Sequence, residues 1–261
     1  MLQDVGHIWL AVGASLAAGL ATALGALLLY VRHTYSDRVI ATTLGFGAGV
    51  MLGAMFFALI TPALAISGAA YPDSRMLPFL LVGLSLVLGA WFVSQVERLL
   101  PHEHMIKGHE GGDGISVRGA WLFVIAIAVH NLPEGIAVGV SFGGNDLSNG
   151  LAVSSAIALH NIPEGITAGI GLLAAGYSMR TAVGVSALMG GVETLGGLVG
   201  VVAVTAVAPL LPYALAFAGG TMLYVTSHEV IPESHRPPYS RWGTWGVIAG
   251  FLLMMALNEI F

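Results

Sequence analysis

The sequence predicts an all-α membrane protein with eight transmembrane helices, and the reasons are its composition and the length of its apolar stretches. Of the 261 residues, 56% are hydrophobic and only 9% are charged, whereas an average soluble domain is about 25% charged. Eight apolar stretches are long enough to cross a bilayer, which takes about 17–25 helical residues. The loops between them are short, so we predict one polytopic domain over residues 1–261.

The predicted helices follow one another with short turns between them. The first apolar stretch, from Ile8 to Tyr30, would be about 35 Å long at 1.5 Å per residue. A signal-peptide core has only about 7–15 apolar residues, so we expect this stretch to be retained as a helix. Turn-forming residues separate later stretches, as in 71–74 and 143–146. The predicted helices are residues 8–31, 40–66, 77–99, 119–142, 147–174, 181–206, 210–233 and 243–260.

The distribution of cationic residues predicts how the helices are oriented. Lys and Arg in short loops mark the cytoplasmic side of a membrane protein. Outside the odd-numbered loops, the only Lys or Arg in the sequence is Arg75. We therefore predict that the odd-numbered loops are cytoplasmic and that both termini lie outside. The cationic residues of the odd-numbered loops are Arg32, Arg38, Arg98, Lys107, Arg118, Arg180, Arg236 and Arg241.

A weak internal repeat relates the two ends of the chain. The segment 44-LGFGAGVML-52 matches 215-LAFAGGTML-223 at Leu, Phe, Gly, Met and Leu, and Ile60 matches Ile231 at the same offset of 171 residues. The predicted topology runs the second helix outward and the seventh inward. Repeats of opposite orientation are typical of many secondary transporters. The repeat predicts that helices 1–3 and 6–8 are related and that helices 4 and 5 form a central pair.

The strongest pattern is a polar motif that occurs twice within apolar stretches. The segments 130-HNLPEGIAVGV-140 and 160-HNIPEGITAGI-170 are identical at seven of eleven positions. Ionisable groups are costly at bilayer depth, so they usually face the protein interior and mark a transport path or a site. An imidazole, an amide and a carboxylate placed twice in this way predict a protein that carries a metal ion through a membrane.

Helical spacing brings the polar groups of each motif together. His130 and Glu134 are four residues apart and share one helix face, and Glu134 lies between the directions of His130 and Asn131. One carboxylate could therefore serve two adjacent ions. Pro133 and Pro163 cannot donate a backbone hydrogen bond, which releases a carbonyl in each helix.

The predicted topology gathers the two motifs and a further carboxylate. Helices 4 and 5 are joined by a short loop, and Glu193 lies between glycine pairs on helix 6. Two imidazoles and three carboxylates suit Zn²⁺ and would also accept Fe²⁺, Mn²⁺ or Cd²⁺. The chain has no cysteine, which excludes disulfides and thiolate ligands. Because two of the carboxylates could bridge, we predict a site for two ions.

These residues resemble those of the Zrt/Irt-like, or ZIP, divalent metal transporters. The resemblance covers nearly the whole chain and includes eight spans, a third loop with histidines, and the paired H-N-x-P-E-G motifs. It implies a 3+2+3 arrangement of helices around a binuclear site halfway across the membrane. The first metal site that it implies contains His130, Glu134, His160 and Glu164, with Met51 as a thioether ligand. The second contains Asn131, Asn161 and Glu193, with Glu134 and Glu164 bridging.

Two further groups of polar residues have less specific patterns. The third loop contains His102, His104 and His109 among acidic residues, which predicts capture or sensing of cytoplasmic metal unless the loop is merely solvated. Helix 7 ends in 227-SHEVIPESH-235, where the resemblance favours His228 and Glu229 as exit ligands. The alternative for that segment is a polar helix end without ligands.

Together these patterns predict a transporter that moves divalent metal, foremost Zn²⁺, into the cytoplasm across the plasma membrane, as a multi-pass protein of a bacterial inner membrane. We expect zinc as the substrate, no organic cofactor, contact with lipid, a homodimer, and no nucleic acid, since no basic run is present. We predict that the chain is not an enzyme. One alternative is an intramembrane metal-dependent hydrolase, which needs an open coordination position and an activated water. The other is a proton- or cation-coupled carrier of an organic substrate.

Overall fold

The predicted helices are present in the structure, a computed structural model that describes residues 2–31, 35–99, 117–143, 147–235 and 237–260. No strand occurs within these ranges. A 3-10 turn, Leu28–Tyr30, follows the first helix, and the second and seventh are each continuous through a wider turn. The helices are α1 Leu2–Leu27, α2 Asp37–Ala70, α3 Met76–Leu99, α4 Val117–Ser141, α5 Leu147–Ala174, α6 Met179–Ala206, α7 Ala208–Ser234 and α8 Ser240–Ile260.

Six of the described helices are long and apolar enough to cross a membrane: α1, α2, α3, α6, α7 and α8. Large apolar side chains project from the surface of the bundle, as Val87 and Trp91 do on α3. Such a surface suits contact with lipid. Helices α4 and α5 are not among the six, and in α5 the His, Asn and Glu residues of the motif lower the mean hydropathy. Their crossing of the membrane stays a prediction.

The packing of the helices follows a regular pattern. Helices α4 and α5 contact each other, and α6 packs on α4 while α1 packs on α5. On the other side, α2 packs on α8 and on α5, while α7 packs on α3 and on α4. The pairs α1–α6 and α2–α7 are also in contact. The polar motifs of α4 and α5 are therefore enclosed by four other helices.

Glycines permit the closest of these contacts. A Cβ atom on Gly19 of α1 would overlap the backbone of Gly190 in α6, and one on Gly190 would overlap Gly19. A Cβ on Gly135 of α4 would overlap the carbonyl of Glu193, and one on Gly165 of α5 would overlap that of Thr22. Small residues let membrane helices approach closely. They bring α1 and α6 directly against the two motifs.

A π-helical turn widens both α2 and α7. The turns cover Ala54–Ile60 and Thr226–Val230, and each ends one residue before an X-Pro step, at Pro62 and Pro232. The proline ring clashes with the carbonyl four residues earlier and has no N–H to donate, so the helix before it widens. In α2 the hydroxyl of Thr61 donates to the Phe56 carbonyl, five residues earlier, at 2.8 Å. Such turns are frequent at functional sites.

Contacts at the helix ends join segments that the sequence assigns to the same side of the membrane. The guanidinium of Arg38, in the first turn of α2, lies 3.4 Å above the ring of Trp242 at the start of α8. The indole N–H of Trp121 on α4 donates to the hydroxyl of Tyr177, between α5 and α6, at 2.6 Å. Each contact thus joins two segments at or next to odd-numbered loops.

Candidate metal site

The polar groups of the twin motif lie inside the helix bundle. Asn131, Glu134 and Asn161 are at most 1% exposed, and Glu193 of α6 is fully buried. Pro133 and Pro163 lie within α4 and α5, which continue through them. The remaining motif residues, His130, His160 and Glu164, are also buried.

Three of these side chains form a compact cluster between α4 and α5. Ligand atoms of Glu134, His160 and Glu164 lie within 4.8 Å of one another, and this is the group of His and carboxylate residues in the described part of the chain that could hold a metal ion. The Nε2 atom of His160 is 3.5 Å from Oε1 of Glu134, which is longer than a hydrogen bond. Zinc bonds to His and carboxylate ligands measure about 2.0–2.2 Å. An ion would therefore draw the three groups slightly together.

The backbone of α2 lines the cluster at Gly47. A Cβ atom at this position would lie 2.6 Å from Nδ1 of His160, so any side chain would displace the imidazole. Nδ1 is buried. The absence of a side chain at Gly47 thus leaves room for the imidazole.

Several carboxylate oxygens of the site lack hydrogen bonds within the described residues. Both oxygens of Glu134, Oε2 of Glu164 and Oε1 of Glu193 are buried without such a bond. Burying a carboxylate is unfavourable unless a proton, a hydrogen-bond donor or a cation compensates it. An imidazole nitrogen beside oxygens of this kind is a suitable ligand set for Zn²⁺ and related ions.

The two asparagines have different surroundings although their motifs are alike. The Nδ2 atom of Asn161 donates to Oε2 of Glu193 at 2.7 Å and to the carbonyl of Ala18 in α1 at 2.9 Å. Since both partners accept, they determine the orientation of the amide and leave Oδ1 without a partner. Neither side-chain atom of Asn131 has a hydrogen-bond partner among the described residues.

His130 has a partner that the sequence did not predict. Its Nε2 atom is 2.9 Å from Oε1 of Glu229, which lies in the π-helical turn of α7. The sequence placed His130 with the first metal site and Glu229 at the exit, and the structure brings these two side chains into contact. The two residues are 99 positions apart, and no motif connects them.

The other predicted ligands occupy different places. Met51 is buried in α2, and the hydroxyl of Thr226 in α7 donates to its sulfur at 3.7 Å. His228 is exposed, and its ring lies 5.2 Å from that of Tyr224, so it is not part of the buried cluster. His102, His104 and His109 lie outside the described residues.

Comparison with known proteins identifies the family. Residues 101–258 match the family described as ZIP Zinc transporter. The chain belongs to this family. The family resemblance inferred from the twin motif is therefore confirmed.

Similar proteins extend this match to almost the whole chain. The protein named zinc transporter GufA from Myxococcus xanthus is 44% identical over 245 residues, which cover 94% of this chain and 96% of the relative. Zinc transporter ZIPB from Bordetella bronchiseptica is 42% identical over 97% of this chain and 81% of its own length. Human zinc transporter ZIP11 is 31% identical over 91% of this chain and 93% of its own length. These ZIP relatives are transporters, which agrees with the prediction that this chain is not an enzyme.

Proposed function

We propose that this ZIP family member carries Zn²⁺ into the cytoplasm across a bacterial inner membrane, through a two-ion site at the middle of the bilayer. The cluster of Glu134, His160 and Glu164 carries the proposal, because it gathers an imidazole and two carboxylates inside the bundle. The carboxylates neutralise the charge of the ion after it has lost its water.

The first ion would be bound by this cluster, with Met51 and His130 beside it. Met51 is buried on α2, one helical turn after Gly47, which contacts the imidazole of the cluster; this supports a place for the sulfur among the ligands of the ion. The second ion would be bound by Asn131, Asn161 and Glu193, with both motif carboxylates bridging. The unpaired oxygens of the two amides and of Glu193 support this assignment.

The contact between His130 and Glu229 indicates the route of release. His130 lies one helical turn before the motif carboxylate of its own helix, and its Nε2 atom is 2.9 Å from Oε1 of Glu229. We propose that His130 passes the ion from the cluster to Glu229, and that the exposed His228 beside it receives the ion at the cytoplasmic end of α7. The imidazole must be unprotonated to do so, so release should be sensitive to pH.

The packing of the helices supports a 3+2+3 inverted repeat, for which we propose that both termini lie outside. Exchanging α1 with α6, α2 with α7, α3 with α8 and α4 with α5 reproduces the observed neighbours. The contacts at the helix ends also connect loops of the same predicted side. In such an arrangement one block of helices could move against the other and expose the site to either side.

Zinc is the proposed substrate, and Cd²⁺, Fe²⁺ and Mn²⁺ are further ions that the same ligands would accept. Lipid contact and a homodimer belong to the same proposal. An intramembrane hydrolase is not favoured, because the similar proteins are transporters. No organic substrate needs to be invoked.

The test is metal flux into sealed vesicles that contain only this protein and a zinc-sensitive dye. Glu164→Ala should abolish uptake, since its carboxylate would serve both ions, and Glu259→Ala should not, since that residue is exposed at the end of α8. Both variants should insert normally, because neither change adds a charge to the membrane. Normal uptake by Glu164→Ala would contradict the site, and the absence of zinc uptake by the native protein would contradict the function.

A further inference from the structure

Thr22 of α1 is a buried polar residue that no part of the proposed site has used. It is fully buried, and its hydroxyl oxygen has no hydrogen-bond partner among the described residues. A hydroxyl without a partner is unfavourable in a protein interior, so such a group calls for an explanation. Its neighbours on α5 suggest one.

Threonines within helices usually donate to a carbonyl of the preceding turn. In this protein Thr167 donates to Pro163 at 2.9 Å and Thr221 to Ala218 at 2.6 Å. The equivalent acceptors for Thr22 are the carbonyls of Ala18 and Gly19, and its hydroxyl bonds to neither. The Ala18 carbonyl accepts the helical N–H of Thr22 and Nδ2 of Asn161 at 2.9 Å, so its two lone pairs are occupied. The Thr22 hydroxyl therefore remains available.

Thr22 lies beside the metal site because α1 packs closely on α5. A Cβ atom on Gly165 would overlap the carbonyl of Thr22 and would lie 3.0 Å from its Cα. Gly165 directly follows Glu164, and Asn161, one turn earlier, binds Ala18 of the same α1 segment. The segment from Ala18 to Thr22 thus runs along the side of α5 that carries Asn161 and Gly165, next to Glu164 in the chain.

The internal repeat gives Thr22 a counterpart in the site. Glu193 is 171 positions after Thr22, as Gly190 is after Gly19 and as Ile231 is after Ile60. The packing agrees with this pairing, because Gly135 of α4 meets the carbonyl of Glu193 as Gly165 of α5 meets that of Thr22. Helix α1 thus has a hydroxyl at the position where α6 has a carboxylate.

We infer that the hydroxyl oxygen of Thr22 is a ligand of the second transported ion, on the side of the site opposite Glu193. The inference rests on the proposed function. A neutral oxygen completes the coordination without adding charge, which leaves the ion weakly enough held to be released. Hydroxyl oxygen is also a hard ligand, so it favours Mn²⁺ over the softer Cd²⁺.

The experiment compares three variants of the purified full-length protein by calorimetric titration with Zn²⁺, Mn²⁺ and Cd²⁺. Thr22→Val removes the hydroxyl and keeps the shape, Thr22→Ser keeps the hydroxyl, and Thr221→Val removes a buried hydroxyl that is bonded within its own helix. We expect Thr22→Val to weaken binding of the second Zn²⁺ by about tenfold, within the range for groups that support a metal site. It should also lower the preference for Mn²⁺ over Cd²⁺, while the other two variants match the native protein.

Other outcomes would overturn the inference. These are native binding by Thr22→Val, an equal loss in Thr22→Ser, and a native protein that binds one ion only. If Thr22→Val does not accumulate in the membrane, Thr22→Ala removes the same hydroxyl and must show the same loss. A native protein that binds no zinc would contradict the proposed function itself. If native zinc uptake is lost in Glu164→Ala but Thr22→Val binds zinc normally, only the role of Thr22 is contradicted.

Discussion

The contact between Gly47 and His160 allows a test of the site in which none of the proposed ligands is substituted. In Gly47→Ala the new methyl carbon would lie 2.6 Å from Nδ1 and 3.4 Å from Cε1 of the imidazole. Carbon atoms in contact are ordinarily about 3.5–4.0 Å apart, so the ring must move by about 1 Å. That is about half the length of a zinc–nitrogen bond.

The expected loss follows from this displacement. Disturbing the groups that orient a metal ligand typically costs about 10–100-fold in affinity, which corresponds to about 1.4–2.8 kcal/mol. We therefore expect Gly47→Ala to weaken zinc binding by that factor in titration calorimetry of the purified protein, and to slow zinc uptake in vesicles at low zinc concentration.

Gly13→Ala is the matched control. It places the same methyl group in α1 at a position with no atom within 4 Å, and alanine is favoured over glycine within a helix by about 0.5–1 kcal/mol. This variant should bind zinc as the native protein does and should unfold no sooner on heating. If Gly47→Ala keeps native affinity, the imidazole at 160 does not bind the ion in the position that the structure gives it.

Further predictions concern the other parts of the pathway. Glu193→Ala removes the one carboxylate specific to the second site, so equilibrium dialysis should find fewer ions per protein while the first remains bound; equal loss of both would contradict the division into two sites. Glu229→Gln should keep zinc binding but slow its release through His130, measured as a lower maximal uptake rate, and an unchanged rate would exclude this route. A cysteine at Gly112 should react with an impermeant thiol reagent only from the cytoplasmic side and one at Asn145 only from outside, and the reverse result would invert the topology. Replacing the three histidines of the third loop with serine should preserve flux but alter its response to internal zinc, with the difference fading below about pH 6 because the ordinary pKa of imidazole is about 6.5; identical responses would indicate a solvated linker.

The helices could be predicted because hydropathy is a local property. The predicted range 147–174 agrees with α5, Leu147–Ala174, since turn-forming residues flank it. The first helix begins at Leu2 rather than near residue 8, because polar residues such as Gln3 and Asp4 end an apolar stretch without ending a helix. The π-helical turns of α2 and α7 were not predicted, although the prolines that cause them, Pro62 and Pro232, are present in the sequence.

The candidate site was visible in the sequence because lipid makes buried polar residues rare. His160, Glu134 and Glu164 belong to a repeated motif, and the structure brings these three together. Their role as ligands stays a prediction, as does that of the remaining motif residues. The contact of His130 with Glu229 could not be predicted, because it depends on how α7 turns against α4.

The sequence by itself predicted the helices, identified the polar groups that must be shielded from lipid, and suggested the ligand types for a transported ion. The tertiary structure decided how the surroundings of two similar motifs differ. Asn161 lies against α1 and α6, so its amide binds Ala18 and Glu193, whereas Asn131 has no hydrogen bond among the described residues. The physical reason is that a side chain's partners come from whichever helices pack against it. Here α6 supplies the carboxylate of Glu193, and α1 supplies the carbonyl of Ala18.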